Sequence, residues 1–230
     1  MEQVLKSEYK DRINNHLLEL VDHEVRASMA NFSYFLTISE IKALIAEENF
    51  NLATLLQPFF SSAGLILENL INWNRIFSGS ETRESVFKVH DLANETIESI
   101  RHLCDERGIK LENKINKNIT YLGDQRIFSF LIKNIVFTCM MHTTYNSSIK
   151  LELFKTLVDT EISIVTDNVF IDRATLKTIL DIDQHKRISG KNIGLLLCNQ
   201  LLQYYGEELK ISYEGTCRIK FTFSLSTMYK

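Results

Sequence analysis

The sequence lacks most of what would interrupt a helix. Of its 230 residues one is proline, Pro58, and eight are glycine. From about Ser7 to Glu48 there is neither, so the helical periodicity of that stretch runs on as one unusually long helix. Cysteine is sparse: Cys104, Cys139, Cys198 and Cys217 lie far apart, form no CxxC pair, and three of them fall inside apolar helical or strand patterns. They read as reduced core residues of a cytosolic protein. An excess of basic charge is missing too, with 26 Lys and Arg against 29 Asp and Glu, and the basic residues are scattered. Nucleic acid is therefore not an expected partner. No apolar run reaches the ~20 residues needed to cross a bilayer, and an amino terminus carrying Glu2, Lys6, Glu8 and Lys10 is not a signal peptide. The expectation is a cytoplasmic protein with no direct membrane insertion.

What is present falls into two kinds of pattern. A second helix follows the first, from about Asn51 to Phe77, and Pro58 either kinks it or marks its true beginning. Two long amphipathic helices joined by a short connection leave an apolar face on both arms. A second copy buries that face economically, which predicts an all-α hairpin that becomes a four-helix bundle in a two-fold homodimer; the alternative is that these helices pack on the rest of the same chain. Ser78 to Thr82 breaks the helical pattern with small and polar residues. The expected domains are residues 1–79 and 83–230. In the second, Phe87 to His90 alternates like a strand, Leu92 to Arg107 is helical and Gly108 stops it. Lys110 to Ile115 and Ile119 to Leu122 alternate again, and Asp124 to His142 is a helix. Ser148 to Phe154 and Glu161 to Thr166 read as a hairpin, Asn192 to Tyr205 as a helix, and Leu209 to Tyr213 and Arg218 to Leu225 as strands. This order predicts a two-layer α+β sandwich.

Within the first helix, Leu20 to Arg26 holds a histidine followed by a carboxylate. At about 100° per residue, Val21, Val25, Phe32, Leu18 and Leu36 cluster opposite His23, while Arg12, His16, Glu19 and Arg26 lie near it. The imidazole is thus offered to solvent. A histidine on a polar face is, taken alone, an ordinary solvated residue.

Read in order, the motifs resemble a sensor histidine kinase catalytic core. His23-Glu24-Val25-Arg26 is similar to that family's phosphoacceptor box, and Leu67 to Trp73 to the end of its second helix. Phe87 to Ile115 is similar to the entry of its ATP-binding domain, and Leu131 to Val136 to the start of its nucleotide-binding helix. Gly190 to Leu197 is similar to its glycine-rich phosphate loop, and Tyr205 to Leu209 to the turn after the next helix. The resemblance implies that the α+β sandwich is of the histidine kinase, gyrase and heat-shock chaperone type. It also implies that His23 is the phosphoacceptor and that Glu24 polarises the ring and takes up its proton; the mechanism expected from this has Arg26 steady the phosphoryl oxygens. His16 is a rival on the same face, but Leu17 follows it.

The nucleotide motifs depart from the family pattern. Aligned through Asn134, the magnesium-coordinating asparagine falls at Thr138 and the basic residue after it at Met141. Asp167, which in the family reads the adenine amino group, persists, yet the two glycines that should follow are Val169 and Ile171. β-Branched residues adopt positive φ only at a cost. Gly190 and Gly194 remain in the phosphate loop, with Asn192 where a third glycine is expected. Asp167 is then also readable as a turn residue and Lys191 as a solvated loop charge. One turn after His23, Ala27 stands where the family carries a water-positioning threonine or asparagine, and Ser28 where it carries proline.

A retained phosphoacceptor beside an eroded nucleotide site resembles the kinase-derived histidine phosphotransferases. These relay phosphoryl groups between response regulator receiver domains. The resemblance implies receivers as partners and no cofactor. Two alternatives stay open: a divergent kinase that uses ATP and magnesium at Asp167, Gly190 and Gly194, and a non-catalytic dimeric scaffold that binds a response regulator.

Overall fold

The computed structural model describes residues 8, 11–15, 18–19, 26, 64, 67–76, 84–155, 160–181, 192–215 and 217–225. His23, Glu24, Gly190, Lys191 and the connection expected between the two long helices lie outside the described residues. Every described residue up to 76 is helical. Trp73 is buried, and its indole Nε1 donates to Asn14 Oδ1 at 3.2 Å. The beginning of the first helical region therefore lies against the end of the second, and Ile13, Trp73 and Ile76 belong to the same apolar cluster as the rest of the core.

The second region begins with β1 (Glu84–Lys88), α1 (Val89–Glu98), α2 (Arg101–Asp105), β2 (Lys110–Asn113) and β3 (Thr120–Asp124). It continues with α3 (Gln125–Met141), β4 (Ser148–Lys155), β5 (Thr160–Thr166), α4 (Arg173–Leu180) and α5 (Ile193–Tyr204), and ends with β6 (Lys210–Glu214) and β7 (Arg218–Ser224). Five strands make one mixed sheet in the order β2-β4-β5-β7-β6, with β2 and β4 parallel and the remaining neighbours antiparallel. β1 and β3 form a separate antiparallel ribbon. Helix α3 touches β4 and β5 and is flanked by α1 and α5, which gives the two-layer arrangement the alternating elements predict.

The sequence explains why α3 sits at the centre. Ile127, Phe128, Phe130, Leu131, Ile132, Ile135 and Val136 are all buried, so apolar residues cover most of its circumference and only an interior helix can satisfy them. They meet Ile149 and Leu151 of β4, Ile162 and Ile164 of β5, and Ile219, Phe221 and Phe223 of β7. Asp124 starts the helix, accepting from the Arg126 backbone N–H at 2.9 Å. The Arg107 guanidinium ends it by donating to the carbonyls of Met140 and Thr143, the latter at 2.8 Å.

Several boundaries differ from the sequence reading. Val89 and His90 belong to helix, not strand, because the Val89 N–H finds the Ile119 carbonyl at 3.0 Å and the chain turns there. The helix expected from Leu92 to Arg107 is broken at Ser99 and Ile100. The Ser99 hydroxyl bonds the Thr96 carbonyl at 2.6 Å and competes with the helical ladder. Gly108 does stop the second piece, at φ +63°. Helix α4 is absent from the sequence reading altogether, although Asp172 caps it by accepting from the Thr175 N–H at 2.9 Å. Among the described residues no helix is long and apolar enough to cross a membrane.

Candidate functional site

Three segments that the sequence singled out converge at one end of α3. They are the last turn of that helix, the stretch after β5, and the first turn of α5. Thr143 bridges Val169, and its hydroxyl donates to the Asp167 carbonyl. His142 Nε2 lies 2.8 Å from Asn192 Oδ1, a hydrogen bond when that nitrogen carries the proton. The His142 ring also stands 5.9 Å from that of Phe170, whose N–H donates to the His142 carbonyl at 3.1 Å.

Each side chain here has a use inside the fold. Thr138 is buried, and its hydroxyl turns inward to donate to the Asn134 carbonyl at 2.9 Å. Asn134 is buried as well, donating through Nδ2 to the Phe130 carbonyl at 2.9 Å. Gly194 lies in the first turn of α5 against it: a β-carbon there would come 2.8 Å from Asn134 Cγ, and closer still to Oδ1. The glycine thus permits α3 and α5 to approach, a demand independent of any phosphate. Met141 packs partly against the core.

The stretch after β5 is pinned on both sides. The Val169 N–H donates to the Cys217 carbonyl at 2.9 Å, and the Thr144 N–H to the Asn168 carbonyl at 3.1 Å. The positive φ needed for the turn falls on Asn168, at +56°, a residue type that tolerates it. Val169 and Ile171 need no such conformation. The Asp167 carboxylate accepts from Ser148 Oγ at 2.7 Å and from Arg218 Nε at 2.6 Å. The Ser148 hydroxyl first, then the Arg218 guanidinium, holds its carboxyl below the ordinary aspartate value.

Of the residues assigned to phosphoryl chemistry, Arg26 alone is described: it is helical and exposed. The structure brings Asp167 and Gly194 to one region, together with four residues the sequence reading gave no role: Ser148, Arg218, His142 and Thr143. Arg218 was legible only through strand register, since Thr166 pairs with Ile219 and the residues next outward on the two strands are Asp167 and Arg218. His142 carries a weaker signal, directly following Met141 at the end of an apolar helix.

Where α3 meets the helical segment 67–76, Lys133 Nζ pairs with Glu68 and Arg126 Nη1 donates to the Arg75 carbonyl at 3.1 Å. A cleft of about 470 Å³ lies beside these contacts, with Asn72, Ile76, Glu95, Gln125 and Ser129 in its wall.

No family model matches the chain, and no curated protein does. Solved structures do. The histidine kinase ThkA, in complex with the response regulator TrrA, superposes with a TM-score of 0.72 at 12% identity, covering 100% of this chain and 68% of that one. The histidine kinase AdeS of Acinetobacter baumannii gives 0.65 at 12% identity over 88% of this chain and 98% of that one. Full-length ShkA in complex with AMPPNP gives 0.58 at 13% identity, over 88% and 45% of the two chains. At such identities the likeness is one of fold: the chain has the architecture of a histidine kinase core.

Proposed function

We propose that this chain is a histidine phosphotransferase of two-component signalling, relaying phosphoryl groups between receiver domains through His23. The carrying observation is at the end of α3. Where a kinase of this fold would present a magnesium ligand and a cation, Thr138 is buried with its hydroxyl turned into its own helix, and Met141 offers neither charge nor a hydrogen bond. That donor set does not suit magnesium triphosphate, because the ion requires hard oxygen ligands at fixed geometry. Transfer through a histidine needs only a nucleophile and a donor. The neutral imidazole of His23 attacks the phosphorus of a receiver's aspartyl phosphate, an N–P bond forms, and the aspartate departs as carboxylate. Glu24 stabilises the positive ring and Arg26 the phosphoryl oxygens. A second receiver's aspartate reverses the step.

Apolar side chains on the helical region support a two-fold stem. Leu67 and Ile71, four residues apart on one helix face, are each 52% exposed in the single chain, and Leu18 is 67% exposed. A second copy is the occupant we assign to them. Sedimentation equilibrium is expected to give twice the chain mass, and Ile71→Asp to give the single mass. A wild-type monomer would remove the bundle.

The deciding test incubates the full chain with receiver domains pre-phosphorylated by a small-molecule phosphodonor, and separately with labelled ATP and magnesium. Acid-labile label that arrives from a receiver and is lost in His23→Ala supports the relay. Label that arrives from ATP and depends on His23 assigns a kinase. Receiver binding without label from either source assigns a scaffold.

A further inference from the structure

Asp167 and Arg218 stand one pair beyond the β5–β7 ladder, whose last register pair is Thr166 with Ile219. Both carboxylate oxygens are occupied, Oδ2 by the Ser148 hydroxyl at 2.7 Å and Oδ1 by Arg218 Nε at 2.6 Å. On its far side the guanidinium faces Glu214, its partner in the β6–β7 register, with Nη1 3.6 Å from Oε2. The backbone on either side is held as well, with the Val169 N–H on the Cys217 carbonyl and the Thr143 hydroxyl on the Asp167 carbonyl.

We infer that Arg218 is an internal ligand of Asp167, covering the carboxylate to which the resemblance to histidine kinases gives the adenine amino group. An ionised carboxylate only accepts hydrogen bonds. The amino group of adenine offers it a neutral N–H, whereas a guanidinium offers N–H donors with a full charge, and such bonds are roughly twice as strong. Arg218 also belongs to the same polypeptide and is held beside Asp167 by β7, so it competes without a cost of association. Adenine must displace it. Glu214 gives the guanidinium a second carboxylate to turn to, so the blockade is a competition and not a wall.

The same geometry says what the pair does not do. Arg218 is about half exposed, and ion pairs of that kind add little to stability. Removing the guanidinium therefore frees Asp167 while leaving the fold standing. The inference rests on the adenine role that the resemblance gives Asp167 and on the contacts at that residue, and its readout is adenosine binding, so it stands or falls separately from the relay.

The test is ligand-observed saturation-transfer NMR on the full chain with millimolar adenosine, with circular dichroism confirming that each variant is folded. Wild type and Arg218→Lys are expected to give no transfer. Arg218→Ser is expected to gain it, and Arg218→Ser with Asp167→Asn to lose it again. Should Arg218→Ser fail to fold, Arg218→Met keeps the apolar stem without the donors and is read in the same way. A folded Arg218→Ser or Arg218→Met that ignores adenosine overturns the inference. Binding by the wild type, or binding that survives Asp167→Asn, does so equally.

Discussion

A β-carbon at position 194 would press on the buried side chain of Asn134, 2.8 Å from Cγ and 3.1 Å from Cβ. Asn134 cannot retreat, because it sits inside α3 and donates to the Phe130 carbonyl. Gly194→Ala is therefore expected to destabilise the domain by about 1–3 kcal/mol, the range for overpacking a close-packed site. Asn134→Ala in the same chain should restore part of the loss, since the nearest colliding atoms go with it. Urea unfolding of the two single variants and the double measures this, and strict additivity would refute the contact. In the sequence Gly194 stood out as a loop glycine; its packing against Asn134, 60 residues away, is a property of how α3 and α5 cross. Asp167 belongs to the same scale. With the Ser148 hydroxyl and Arg218 holding its carboxyl below the ordinary value, the unfolded chain binds more protons in acid than the folded one. The stabilisation is fully present above the unfolded value of about 3.9, and is lost as pH falls through the lower folded value. Asp167→Asn should flatten the acid limb of a stability profile below about pH 4, because it removes at neutral pH the small contribution that the wild type loses on that limb, so the two profiles converge in acid.

Single elements were easier to find than to bound. The interior helix α3 was plain in the sequence because its apolar residues recur on almost every face, and β4, β5 and β7 because apolar residues alternate with polar ones between turns. α4 was missed because it is only eight residues long and buries only Leu176 and Ile179. Asp172 with Thr175 three residues on was the available cue. The Ser99 break was missed because a side chain, not a change of pattern, interrupts the ladder. At the start of α3, Asp124 is both cap and counter-ion: its carboxylate accepts from the Arg126 backbone N–H and from Arg126 Nε, at 2.9 Å each. Burial pushes its carboxyl up, but the Arg126 side-chain and backbone hydrogen bonds outweigh this and the net shift is downward. Asp124→Ala is expected to cost about 1–2 kcal/mol, at the upper end for a lost cap. Asp124→Asn keeps an oxygen for the backbone N–H and should cost less. Equal losses in denaturant unfolding would assign the effect to the ion pair with Arg126 and not to the cap.

For the whole molecule the open issue is how the α+β domain is joined to the helical stem. Trp73 and Ile76 are 3% and 8% exposed and fall in one apolar cluster with the domain core, while Arg126 and Lys133 of α3 reach back to Arg75 and Glu68. The ion pair with Glu68 is partly solvated and adds little by itself. The shared apolar surface is what couples the two parts, because separating them returns buried carbon to water at about 25 cal/mol per Å². A domain held in this way does not swing freely against its stem. Trp73 is the only tryptophan, so its emission reports the stem end alone, whereas far-ultraviolet circular dichroism reports the whole chain. If the shared cluster makes one cooperative unit, the two signals should follow one urea transition with the same midpoint. Ile76→Ala removes cluster contacts on the stem side, at a cost of about 2–5 kcal/mol for a buried residue, and should shift the emission to lower urea ahead of the dichroism. Distinct midpoints already present in the wild type would mean that stem and domain unfold separately and that the coupling argued from the cluster does not hold.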